Sequence, residues 1–129
     1  MTTTTTTNTN TDRCKYYAHT LDMIANGELY RDEDGELRES DSPKEDWEQV
    51  GFYDYLEGAY DVRYLIGSDM EYIGCKIMVA CGGPNIWIDT ETCSVNLYWW
   101  GESASYDLRR STVDELDDVM RELYESSRC

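Results

Sequence analysis

At 129 residues, with 27 Asp and Glu against 11 Lys and Arg, the chain carries a formal net charge of −16. A small domain needs only about 2 to 8 net charges to stay soluble, so the excess is a self-repulsion that a basic partner would relieve. It argues against direct nucleic-acid binding, since phosphates would be repelled, and with 40% apolar and 12% aromatic residues the acids belong to a folded surface rather than a disordered tail.

Residues 1–11, MTTTTTTNTNT, form a polar leader with no apolar side chain beyond Met1, expected to stay disordered outside the fold, which leaves 12–129 as a single domain. A helix is predicted over 12–26, capped by Asp12, with Tyr17, Leu21 and Ile24 on one face and Asn26-Gly27 as its stop. Residues 28–48 then carry ten acids against Arg31, Arg38 and Lys44, a net of −7. Asp34-Gly35 is a turn signal there, compatible with either a small hairpin or an acidic loop. Ser42, Pro43 and Glu45 read as N-cap, first position and capping-box partner of a second helix. Its interrupted apolar face is Trp47, Val50, Phe52, Leu56 and Ala59, with a kink at Gly51 and an end near Gly58.

From Tyr60 the period changes to two. Tyr60, Val62, Tyr64 and Ile66 alternate with polar or outward residues, and Ile73, Cys75, Ile77, Val79 and Cys81 share the face of the next strand. After the 82–84 interruption come Ile86 to Ile88 and then Cys93, Val95, Leu97 and Trp99, predicting an antiparallel meander of three or four strands. An edge strand over 104–108 and a helix over 112–126 follow, the helix with Thr112 and Glu115 as a capping box and Val113, Leu116, Met120 and Leu123 as its buried stripe. The fold class expected is α+β: N-terminal helices, an antiparallel sheet, and a C-terminal helix packed on it.

Catalytic chemistry has little to work with. His19 is the single histidine, so neither a Ser/His/Asp nor a Cys/His relay can be built without it, and acids are too abundant for carboxylate pairing to be informative. Aligning Gly35 with the invariant glycine of a calcium loop puts Tyr30 in place of the first aspartate, and Cys75, Cys81 and Cys93 lack close Cys-x-x-Cys pairs. The glycine-rich 81–85 segment follows a strand but opens no helix and brings no Lys or Arg, so a turn that lets Trp87 reach a neighbouring layer is the better reading. No enzyme, metal or cofactor is therefore expected. The five cysteines, Cys14, Cys75, Cys81, Cys93 and Cys129, read as buried free thiols of a reducing compartment, and no segment reads as a membrane span or signal peptide.

Carboxylates spaced along a surface can stand in for a line of phosphates and be bridged by arginine forks in a cleft built for a polyanion. The candidate contacts are first the acidic segment, Asp32, Glu33, Asp34, Glu36, Glu45, Asp46 and Glu48, and then Asp54, Glu57, Asp69 and Glu71. Within the aromatic cluster, alternation favours Trp99 in the core and leaves Trp100 as a candidate interface anchor; an adaptor binding through that patch is the alternative function.

Residues 54–108, a short acidic helix leading into the meander DVRYLIGSDMEYIGCKIMVACGGPNIWIDTETCSVNLYWW, with the acidic helix at 113–125, resemble in layout and charge the small acidic anti-CRISPR proteins of phages and mobile elements. The segment GGPNIWIDT is similar to stretches in mobile-element proteins of gut Firmicutes. The resemblance implies a non-enzymatic inhibitor acting in the bacterial host cytoplasm on a guide-RNA-loaded, Cas9-type nuclease. Members of that class block the cleft in which arginines read the PAM duplex, act allosterically, prevent guide loading or force dimerisation. No binding motif matches residue by residue, so the implied contacts remain those chosen on charge and exposure.

Overall fold

The computed structural model describes residues 3–127; Met1, Thr2, Arg128 and Cys129 lie outside the described residues. Its class is α+β: an N-terminal helix, two antiparallel sheets, and a C-terminal helix packed on the larger one.

The first helix, α1, spans Thr3–Ala25, so it begins inside the polar leader and Asp12 is a mid-helix residue rather than its cap. Part of that upstream extension is tied to the domain, because Asn10 Nδ2 donates to Glu102 Oε1 at 3.1 Å. The helix ends as its sequence predicts: Gly27 adopts φ +73°, and the N–H groups of Gly27 and Glu28 return to the carbonyls of Ile24 and Met23. Cys14, Ala18, Leu21 and Ile24 are its buried stripe.

The acidic segment folds as a hairpin, β1 (Leu29–Arg31) with β2 (Leu37–Glu39), and β3 (Glu48–Gln49) adds to the other side of β1. No helix starts at Ser42. Glu48 and Gln49 instead pair with Arg31 and Tyr30, and the N–H of Val50, a residue 1% exposed, donates to the Leu29 carbonyl. Burying Val50 with a sheet partner outweighs the local capping pattern, which satisfies only exposed groups. Gly51, extended at φ −102°, then caps the short α2 (Phe52–Leu56), so the predicted kink is in fact the helix start.

Five strands form the main sheet: β4 (Asp61–Ile66), β5 (Tyr72–Ala80), β6 (Asn85–Asp89), β7 (Ser94–Trp99) and β8 (Glu102–Asp107), in that spatial order. Two register shifts rotate what strict alternation would place. One, opposite Leu65 and Ile66, turns Tyr72 inward and leaves Ile73 53% exposed; the other, between Met78 and Ala80, puts Cys81 at the surface. Cys14 and Cys75 are buried, whereas Cys93 sits half-buried in a turn at φ +56°.

The inner face carries Cys75, Ile77, Ile86, Ile88, Val95 and Leu97 under the helices. α1 lies against β7 and β8, and α3 (Arg110–Ser127) against β5, α1 and α2. Thr112 does not cap α3. Its hydroxyl, in a residue 2% exposed, donates to Asp22 Oδ1 at 2.6 Å and so fastens α3 to α1. Val113, Leu116, Met120 and Tyr124 are buried, the last in place of the half-buried Leu123. Tyr64 packs edge to face on Tyr72 with Tyr124 tilted against both, and the Tyr72 hydroxyl donates to Asp117 at 2.6 Å.

Candidate functional site

In a meander the turns fall alternately at the two ends of the sheet, and here the two ends differ in chemistry. One end holds the β4–β5 turn with Asp69 and Glu71 and the β6–β7 turn with Glu91. α3 crosses this end: the Tyr124 hydroxyl donates to the Met70 carbonyl at 2.9 Å, and Arg110 Nη1 lies 3.2 Å from Cys93 Sγ. Six acids against two arginines ride on that helix. The end of α1 reaches it too, where Asp22 meets Thr112 and Arg109, and from there the acidic hairpin departs. The opposite end holds the Gly82-Gly83-Pro84 loop, the Trp100-Gly101 turn and the early part of α1. The charge is uneven: the first end, the acidic pole, carries the turn acids and the α3 acids, whereas the second, the aromatic pole, carries the aromatic turn with Asp12 and Arg13, Glu102 and, at the start of β4, Asp61.

The candidate residues divide by role. Asp32 is buried and engaged by the hairpin itself: Oδ1 accepts the N–H groups of Asp34 and Glu36 at 2.9 Å each, and Oδ2 accepts Arg38 Nε at 2.8 Å. That geometry, with Gly35 at φ +84°, builds the turn. Glu33 Oε2 accepts the Trp47 indole N–H at 2.8 Å, and Asp69 Oδ1 accepts the Glu71 N–H at 3.1 Å, so both shape loops. Asp54 accepts from Arg31 Nη2 at 3.2 Å, and Arg31 faces Glu48 in register, which joins the hairpin to α2. Glu36 lies 3.9 Å from Arg38. Asp34, Glu45, Asp46 and Glu57 are exposed on the hairpin turn, the loop before β3 and the end of α2. Asp69 and Glu71 belong to a different turn from the hairpin; Glu57 ends the helix that leads into the start of β4, at the same sheet end as Trp100.

The Arg38 hydrogen bond, helped by the Glu36 N–H, holds the Asp32 carboxyl below its ordinary range, and its own N–H together with Trp47 does the same for Glu33. A carboxyl depressed on folding contributes stability above its unfolded value of about 3.9 and loses it as pH falls through the lower folded value. The Asp34 and Glu36 amide resonances are therefore expected to titrate together with a midpoint below about 3.9, and Asp32→Asn should abolish that step. A midpoint at or above the ordinary value would show that the turn is not held by the Asp32 carboxylate.

Sequence reasoning missed the α3 acids Asp114, Glu115, Asp118 and Glu122 as part of the acidic pole; their sign was plain, but only topology carries them beside the β4–β5 turn. The uncovered sheet face is not acidic. Arg63 stacks over Trp87 at 5.3 Å and bonds Asp61, while Lys76 lies 3.9 Å from buried Asp89; Arg63, Lys76 and Asp89 border a cavity of about 120 Å³. Trp87 thus faces away from the helices rather than into a neighbouring layer.

His19 Nε2 sits 2.6 Å from Glu39 Oε1, a half-exposed pair linking α1 to β2. Among the described residues no group of three or more His, Cys, Asp or Glu converges as a metal site requires, and no helix is long and apolar enough to cross a membrane. Comparison with family models, with curated proteins and with solved structures found no match.

Proposed function

We propose that this chain is a non-enzymatic inhibitor of a nucleic-acid-binding protein, of the anti-CRISPR kind, whose acidic pole occupies the basic DNA cleft of a guide-RNA-loaded, Cas9-type effector nuclease. The observation that carries the reading is the uneven charge: the −7 hairpin leaves from the end of α1 that Asp22 fastens to the six-acid α3, and α3 lies against the Asp69–Glu71 turn, while the open sheet face stays nearly balanced. A coat needed only for solubility has no reason to be one-sided. A cleft that focuses the field of phosphates attracts such a pole by the same field and bridges its carboxylates with arginine forks.

The test is binding of the purified chain to a guide-loaded effector, with PAM-containing duplex as competitor. Association is expected to slow steeply between about 0.05 M and about 0.5 M salt, and duplex and protein should exclude each other. A rate that is constant across that range, or simultaneous binding of duplex, sinks the mimic mechanism. A second reading, an adaptor binding through aromatic residues, draws on Trp100, which is 85% exposed. For that reading Trp100→Ala abolishes partner binding and reversal of the acids leaves it intact.

A further inference from the structure

The aromatic pole has features that the acidic reading does not use. Trp100 is the most exposed large apolar side chain described, and it holds φ +50° beside Gly101 at φ +80°. Those angles are the two-residue hairpin turn in which Asn-Gly is the relaxed choice; a bulky residue there is strained. Trp99, edge-on to Trp100 at 6.0 Å, is 37% exposed rather than in the core. It is seated on Gly83, where an added Cβ would come within 3.0 Å of its ring. Between this tip and the 82–83 loop lies an open groove of about 590 Å³, lined by Asn85, Tyr98, Trp99, Glu102 and Trp100 itself. Knob and groove are therefore adjacent on one surface, which is what a self-complementary, two-fold contact requires.

Charge decides the occupant. Two chains of −16 repel each other least where carboxylates are few, and beside this tip they are Glu102, which accepts from Asn10 and keeps its charge, and Asp12, next to Arg13. Six-residue strands at about 3.3 Å per residue put the acidic ends about 20 Å behind each tip. Tip to tip, the two acidic poles stand about 40 Å apart, several times the Debye length of about 8 Å at 0.15 M salt. We propose that the Trp100 tip is a homodimer contact, each copy inserting its Trp100 into the groove of the other and leaving both acidic poles facing outward.

The aromatic patch is smaller than the roughly 800 Å² per partner of a standard interface, so the dimer is weak, with a Kd of about 10 µM to 1 mM. Sedimentation equilibrium of the full chain is the test, run under reductant because Cys81 is exposed at the same pole. A monomer–dimer equilibrium is expected at 0.15 M salt, with dissociation at about 0.01 M, where the Debye length grows to about 30 Å and the poles feel each other. Trp100→Ala should weaken it at least 30-fold, the loss typical of a central aromatic anchor at about that order. Trp100→Asn, which suits the turn, should also be monomeric while melting no lower than the parent. A chain that stays monomeric up to about 1 mM, a dimer that survives both substitutions, or one that weakens as salt rises would each overturn the proposal.

Discussion

Leu97→Ala is expected to lower the unfolding free energy by about 3 to 5 kcal/mol, measured by urea denaturation with an unchanged m-value. Leu97 is 0% exposed on β7, flanked in register by Ile86 and Ala104, on the strand against which α1 packs. Truncation removes the transfer term and leaves a cavity between two layers that cannot both collapse onto it, since β7 is held by ladders on both sides and α1 is pinned through Asp22 and Asn10. That loss is a large share of the 5 to 15 kcal/mol by which such domains are typically stable. A cost below about 1 kcal/mol would mean that the helix layer is not packed on β7 as described.

The triple reversal Glu45→Lys, Asp46→Lys, Glu57→Lys is expected to weaken binding to a guide-loaded effector by at least about 1,000-fold, on the basis of about 1.5 kcal/mol or more per close interfacial charge pair. These three were chosen because they are exposed and lie outside the turn-forming hydrogen bonds of Asp32, Glu33 and Asp69. Each surface change should shift stability by no more than about 0.5 kcal/mol, so melting temperature serves as the control for folding. The matching change Asp32→Asn acts differently: it loosens the hairpin first and binding only through that. Binding within threefold of the parent for the triple variant would remove the loop before β3 and the end of α2 from the contact.

Periodicity made β5, β6, β7 and the last helix legible, because each buries one face; β4 and β8 were read as strands too, but neither has a buried residue, and of Tyr60, Val62, Tyr64 and Ile66 only Tyr64 is half-buried. Where it failed, a long-range partner had overridden a local signal. The Ser42-Pro43-Glu45 pattern is a sound helix start in isolation, but the pairing of Glu48 and Gln49 with β1 lies outside any short window. The register shifts that expose Ile73 and Cys81 are likewise properties of two strands together. Asp32 looked like surface because acids usually are, yet it is the residue around which the hairpin turns. Alternation put Trp99 in the core with Trp100 on the opposite face; instead Trp99 is 37% exposed on Gly83 and Trp100 stands in the hairpin turn at positive φ, a turn geometry that strand periodicity does not carry.

The order of the sheet has a consequence for how the chain is made. Each strand of the meander pairs with the one synthesised just before it, so β4 to β8 can zip together by short-range closure as they leave the ribosome. α1 is different: its partner strands are β7 and β8, and its Asn10 contact reaches 92 residues downstream. At about 5 to 20 residues per second of synthesis, the helix waits on the order of 5 to 20 s with Cys14, Ala18 and Leu21 uncovered. During that interval the threonine-rich start of the chain, polar and devoid of apolar side chains beyond Met1, is the nearest sequence to that stripe, and it offers a nascent neighbour nothing to stick to.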